Sequence, residues 1–280
     1  MWISKRAIVN LSGDIRGIID GREVDLRDNR EGVWNILKSD IHTLAGLKNE
    51  QVVALGRERD VMRDNLTNIS HQLKTPLTSM MIMADLLESE LTSETPDTDR
   101  QTEFLANIIT GLTRMDWLVA ALLKMAKLDA GAAEFSPQAV TSAELVRVAA
   151  EPLRVLLDIK NQSIEVCGDT ELRCDRRWTA EALTNALKNA SEYSPEGGVI
   201  RIESGANPIC AWIAVTDSGE GIAKADIARL FKRFEGSRSG KGHGVGLPLA
   251  LAIMRAQNGD IEVSGGGNGA GATFTLKFYK

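Results

Sequence analysis

Cysteine, histidine and tyrosine are scarce in this chain, and neither apolar nor basic residues form a long run. Three cysteines, Cys167, Cys174 and Cys210, occur among 280 residues. They form no CxxC pair and are odd in number, so reduced thiols in a cytosolic compartment are expected, with no metal or redox role. The apolar stretches Met80 to Leu87 and Leu118 to Met125 fall well short of the roughly 20 residues needed to cross a bilayer. No hydrophobic signal-peptide segment is present, and the chain as given is expected to be soluble. Basic residues number 33 against 38 acidic ones, a formal net charge of -5. No nucleic-acid partner is expected, because phosphate backbones are held by clustered Lys and Arg.

What the chain does contain is enough to fold. With 43% hydrophobic and 25% charged residues it can bury a core, and its length suggests two or three modules. Residues 1–50 read as two short amphipathic helices, one carrying Ile8, Leu11, Ile15 and Ile18, the other Val33, Leu37, Ile41 and Leu44. A polar connector from Gly21 to Gly32 joins them. From Val53 to Leu91, residues Met62, Leu66, Ile69, Leu73, Leu77, Met80, Ala84, Leu87 and Leu91 form the seam of a long helix. Thr92 to Thr98, with Pro96, breaks it. A second long helix carries Phe104, Ile108, Leu112, Met115, Val119, Leu122 and Ala126 and stops near Gly131. Two such helices cannot bury these stripes alone, so a homodimer with a four-helix bundle is expected over residues 51–132. After Ser136-Pro137 the pattern changes to strands near 163–167, 199–204, 210–216, 260–264 and 272–278 alternating with helices, an α/β sandwich domain over 137–280.

His71 lies opposite the seam, because at about 100° per residue it points roughly 160° away from both Ile69 and Leu73. A lone helical histidine is usually an inert surface or core residue, but this one stands in Asn68-Ile-Ser-His-Gln-Leu-Lys-Thr-Pro-Leu-Thr78. That stretch resembles the histidine box of the sensor histidine kinases, in which the histidine is phosphorylated. A neutral imidazole, whose ordinary pKa is near 6.5, is a competent nitrogen nucleophile at cellular pH. Pro76 withholds a donor from the carbonyl of Gln72 and either loosens the helix beyond the nucleophile or merely kinks it. The resemblance gives Thr75 a part in placing a water for dephosphorylating the partner; a plain solvent-facing threonine is the alternative. Gln72 departs from the family, which has Glu or Asp there, since an amide accepts a hydrogen bond but takes up no proton.

Three further motifs follow in order. Glu181, Asn185 and Asn189 recur at spacings of four along one helical face, with Tyr193 beyond them. Oxygen donors so aligned suit Mg²⁺. Asp217-Ser-Gly-Glu-Gly-Ile222 follows an apolar strand, and Gly240-Lys-Gly-His-Gly-Val-Gly-Leu247 leads into an apolar helix whose amides can face phosphate oxygens. Between them stands Leu230-Phe-Lys-Arg-Phe234. The series resembles the ATP-binding domain shared by histidine kinases, gyrase-type topoisomerases and mismatch-repair ATPases.

The resemblance implies ATP and Mg²⁺ as cofactors, with Asn185 and Asn189 on the metal alongside Glu181, Tyr193 against adenine, and Asp217 accepting from the adenine amino group. It further implies Gly219, Gly221, Gly242, Gly244, Gly246 and Leu247 around the nucleotide, and Arg233 near the γ-phosphate. Glu192 is a second departure, because many family members carry Lys or Arg there; Lys188, Lys241 and Arg233 are the candidate substitutes. His42 and His243 read as bystanders. The expected activity is autophosphorylation of His71 and transfer to an aspartate of a response regulator. The rival readings are an ATPase coupled to conformational work, which lacks a histidine box, and a mainly phosphatase-acting scaffold. Residues 1–50 resemble the HAMP signal-relay module, and Trp2 to Arg6 resembles the basic edge after a membrane helix. The intact protein is thus expected to be membrane-anchored, with this part cytoplasmic.

Overall fold

Helix-forming residues carry the backbone without a break from Val33 to Leu91, the first helix, α1, of a computed structural model. The model describes residues 9, 10, 12, 13, 15–17, 33–93, 97–234, 244–265 and 271–280. The chain divides into two compact units, residues 1–67 and 68–280. In the first, the described positions between 9 and 17 are helical and the remainder of the described chain is α1. The connector Gly21–Gly32, together with Ile8, Leu11 and Ile18, lies outside the described residues. The short second helix expected to end by residue 50 is instead continuous with the long helix. The reason is local: between residues 45 and 60 the strongest helix breakers are Gly46 and Gly56, each costing about 1 kcal/mol, and no proline interrupts it.

The second unit begins with the hairpin. Helix α2, Thr98–Asp129, starts where the Asp97 carboxylate accepts hydrogen bonds from the N–H groups of Asp99 and Arg100. It ends at Gly131, whose φ of +63° permits the reversal that lets the Ala132 N–H reach the Lys127 carbonyl at 2.9 Å. The helices approach closely where Met80 lies over Gly111, since a Cβ there would stand 2.6 Å from the Met80 Cγ. Of the expected seam, Met80 is buried and Ile69, Leu73 and Leu87 are half-buried, while Leu66, Leu77 and Leu91 are exposed.

Beyond the hairpin the elements run β1 (Gln138–Thr141), α3 (Ser142–Ala150), a 3-10 turn, α4 (Arg154–Ile159), β2 (Ser163–Cys167), β3 (Glu171–Cys174) and α5 (Arg176–Tyr193). They continue with β4 (Val199–Ala206), β5 (Cys210–Thr216), α6 (Lys224–Leu230), α7 (Gly246–Ala256), β6 (Gly259–Gly265) and β7 (Ala272–Tyr279). Five strands form a mixed sheet in the order β2-β4-β5-β7-β6, antiparallel except where β2 pairs with β4, and β1 pairs separately with β3. Leu183, Leu187, Leu249, Ile253 and Met254 from α5 and α7 pack with Ile200, Ile213, Phe274 and Leu276 of the sheet in one fully buried core. The residues after α2 are tied to this domain: Asp175 accepts from the Ser136 N–H and also caps α5 at Arg177 and Trp178.

Candidate functional site

The hairpin presents His71 as an exposed side chain, while Ile69 and Leu73 on the opposite face pack against the buried core to which Leu118, Ala121 and Met125 of α2 belong. Gln72 is half-buried, and the Thr75 hydroxyl donates to the His71 carbonyl at 3.1 Å. The helix continues through Pro76, which is buried. With Met80 opposite Gly111 and both helices rising about 1.5 Å per residue, His71 stands level with Ala120 and Ala121 of α2.

In the α/β domain the sequence motifs converge on the end of the sheet where β5 ends beside the start of β7. Asp217, just past β5, is 5% exposed. Its Oδ1 accepts from the Gly219 N–H at 2.8 Å and the Ala272 N–H at 3.0 Å, and neither bond uses Oδ2. Burial raises its pKa against the opposing pull of these two bonds. Gly219 touches the preceding motif, because a Cβ there would stand 2.6 Å from the Tyr193 carbonyl oxygen at the end of α5. Gly221 has a φ of +82°. Sequence reasoning missed Gly271, where φ is +70° and a Cβ would fall 1.9 Å from the Asp217 carbonyl oxygen. The signal was present in the run Gly269-Ala-Gly271 ahead of a strand.

On α5, Asn185 is buried, and its Nδ2 donates to the Glu181 carbonyl at 3.0 Å. That bond turns Oδ1 toward the start of α7, where it lies 3.0 Å from the place a Gly246 Cβ would occupy. A hard oxygen donor thus faces the glycine turn expected to hold phosphate. Asn189 and Tyr193 are half-buried, and Leu247 is buried. Gly244 closes the turn by accepting from the Phe234 N–H at 2.8 Å, whereas Gly242 lies outside the described residues. Among the described residues no cluster of three or more His, Cys, Asp and Glu side chains is placed to hold a metal. Asparagine oxygens combined with ligand phosphates, the usual way Mg²⁺ is bound beside nucleotides, remain the fitting donor set.

Two of the expected ligand residues face α2 instead. Glu181 pairs with Lys124 at 2.8 Å. Arg233 makes a two-point pair with Asp129 at 2.6 and 2.7 Å, which lowers the carboxyl pKa of Asp129 and raises that of Arg233. Lys188 stands 4.6 Å over the Trp117 ring. Burial raises the pKa of Glu192, and Lys188 and Lys160 oppose that shift.

Comparison with known proteins places these features in a family. Residues 61–131 match the His Kinase A (phospho-acceptor) domain, and residues 174–280 match the histidine kinase-, DNA gyrase B-, and HSP90-like ATPase domain. The sensor-like histidine kinase SenX3 of Mycobacterium tuberculosis is 32% identical over 177 residues, 61% of this chain and 42% of its own length. The sensor protein CreC of Escherichia coli is 27% identical over 235 residues, 84% of this chain and 47% of its own. The chain therefore spans less than half the length of these relatives. Among solved structures, ShkA in complex with AMPPNP is 28% identical with a TM-score of 0.55, covering 77% of this chain and 45% of that one. The complex of ThkA with the response regulator protein TrrA shares the fold, with a TM-score of 0.61 at 18% identity over 83% of this chain and 66% of that one. With a phospho-acceptor hairpin followed by an ATPase domain of this type, the chain belongs to the sensor histidine kinase family.

Proposed function

We propose that this chain is the catalytic core of a kinase that uses Mg-ATP to phosphorylate its own His71 and passes the phosphoryl group to an aspartate of a response regulator. The observation that carries this reading is the exposed imidazole of His71, level on the hairpin with the stretch of α2 that faces the Asn185 helix. A ring nitrogen of His71 attacks the γ-phosphorus, the bond to the β–γ bridging oxygen breaks, ADP leaves, and the ring gives up a proton. Asp217 and Tyr193 receive adenine, and the amides of Gly244, Gly246 and Leu247 face the phosphates. Asn185 and Asn189, with Glu181, would hold Mg²⁺, which supplies charge neutralisation on the polyphosphate. AMPPNP bound to the similar ShkA supports the nucleotide assignment, and the ThkA–TrrA complex supports a response regulator as the acceptor.

Exposed Leu77, Met81, Leu105, Ile109 and Leu112 leave an apolar hairpin surface that a second copy would cover, completing a four-helix bundle. The HAMP-like segment and an upstream membrane anchor belong to the same reading; among the described residues no helix is long and apolar enough to cross a membrane. Gln72, together with Glu192, favours as a second reading a chain weighted toward phosphatase activity on the partner. Incubation with labelled Mg-ATP tests the proposal. Acid-labile, base-stable label that disappears in His71→Gln is expected, and label surviving in that variant refutes the assignment.

A further inference from the structure

Three side-chain contacts between α2 and the α/β domain, made beside the apolar packing of Leu118, Ala121 and Met125 into the same core, follow one another along α2. Trp117 meets Lys188 and Lys124 meets Glu181, so a step of seven residues up α2 matches a step of seven down α5. The two helices therefore cross antiparallel, with contacts about 10 Å apart. Five residues further along α2, Asp129 takes Arg233 in a two-point pair. The charges alternate: a cation and then an anion on α2 face an anion and then a cation on the ATP domain, and an exchange of partners, Lys124 with Arg233 and Asp129 with Glu181, would set like charges together. None of the four partners is deeply buried, with side-chain exposures between 32% and 51%. Each pair is thus weak enough to break during a catalytic cycle.

What makes these pairs more than docking contacts is the identity of the residues they occupy. Glu181 belongs to the candidate metal set, and Arg233 is the cation expected near the γ-phosphate. While Lys124 neutralises Glu181 and Asp129 neutralises Arg233, neither can serve Mg²⁺ or a terminal phosphate. We propose that Lys124 and Asp129 form an ionic clasp that competes with Mg-nucleotide for Glu181 and Arg233, holding the ATP domain on its own hairpin until nucleotide displaces it. This inference rests on the nucleotide-binding reading above. Competition is reciprocal by thermodynamic necessity: nucleotide opens the clasp by the same factor by which the clasp weakens nucleotide.

The test measures binding of the non-hydrolysable analogue AMPPNP with Mg²⁺ to the whole chain, by calorimetry, in wild type and in the double variant Lys124→Gln/Asp129→Asn. Neither substituted residue belongs to the catalytic machinery. The variant should bind the analogue about 3- to 10-fold more tightly, the amount two partly exposed pairs can withhold. It should also need less Mg²⁺ for half-saturation. In wild type, Mg-AMPPNP should speed backbone hydrogen exchange at the end of α2, around residues 126–132, and the variant should show that faster exchange without ligand. Equal affinity in both proteins, or exchange unmoved by the analogue, overturns the clasp while leaving nucleotide binding intact. If neither protein binds the analogue, the nucleotide reading itself fails and the clasp with it. Should the double variant lose its thermal transition, the single variants Lys124→Gln and Asp129→Asn carry the same comparison, each expected to tighten binding about 2- to 3-fold.

Discussion

Replacing Asp217 by Asn separates what this carboxylate does for the fold from what it does for the ligand. Its Oδ1 accepts from the N–H groups of Gly219 and Ala272 at 2.8 and 3.0 Å, and the residue is 5% exposed. Asn retains an oxygen for both donors, and each bond weakens by about 1 kcal/mol on losing the charge. Against this, the charge is removed from a buried place whose net effect is to raise the carboxyl pKa, burial outweighing the two bonds. The sign follows: a group with a raised folded pKa is stabilised in its protonated form, so the wild type loses stability as pH rises through that pKa, above the ordinary Asp value of about 3.9. At neutral pH the neutral amide should therefore leave the ligand-free protein unchanged or up to about 1 kcal/mol more stable, a rise of at most about 4 °C in Tm. Binding moves the other way. Because the oxygen must face two backbone N–H donors, the amide NH₂ is forced to the position of Oδ2, where on the proposed reading it would oppose the adenine amino group. A loss of about 1–3 kcal/mol, roughly 5- to 150-fold in affinity, is expected for an adenine nucleotide. Thermal scans from pH 4 to pH 8 and calorimetry with AMPPNP measure both. Destabilisation by more than about 2 kcal/mol would show the charge to be a structural requirement, and undiminished affinity would show that Asp217 does not read the base.

Gly271→Ala sets a Cβ against the Asp217 carbonyl oxygen at a left-handed φ, so a stability loss of about 2–5 kcal/mol and loss of nucleotide binding are expected in a denaturant titration, with a change below about 1 kcal/mol contradicting the packing. Gln72→Glu restores a proton acceptor beside His71 and should raise the single-turnover labelling rate, by up to about 10²-fold, with AMPPNP affinity unchanged; an equal or slower rate would show that the proton is not limiting.

Local patterns were legible and long-range ones were not. Strands β2 and β5 fall at the bounds their apolar, β-branched runs suggest, β5 because most of its side chains are buried and β2, though largely exposed, because it pairs along its whole length with β4. Strands β1 and β3 were missed: each has four residues and a single strongly apolar one, Val140 or Leu172, and they exist because they pair with each other. That Asp217 follows a strand and that Asn185 lies on a helix was readable because glycine spacing and helical period are local. Lys124, Asp129 and Trp117 were not, since their partners lie 57, 104 and 71 residues away and a charged residue on a helix face carries no mark of what it will meet.

The two departures from the family pattern acquire different meanings once burial is known. Gln72 is half-buried on α1, and no described contact supplies the missing carboxylate beside the exposed His71 ring, so its consequence is a question of rate. Glu192 is a question of charge. It lies on α5 near the expected phosphates, where many family members carry a cation, and a lone carboxylate there would repel polyphosphate. It is not alone: Lys188, one turn back on the same face, and Lys160, which donates to the Ser191 carbonyl at 2.7 Å, both act on it. One negative and two positive side chains leave a single net positive charge, smaller than a lysine at position 192 would give beside the same two neighbours but of the same sign. Burial raises the Glu192 pKa, and the two lysines oppose that shift. The substitution therefore preserves the sign of the field and spreads its source over three residues, one of which, Lys188, also contacts Trp117 on α2. Charge presented to the phosphates and contact with the phospho-acceptor hairpin are coupled through that lysine, where a cation at position 192 would have kept them apart.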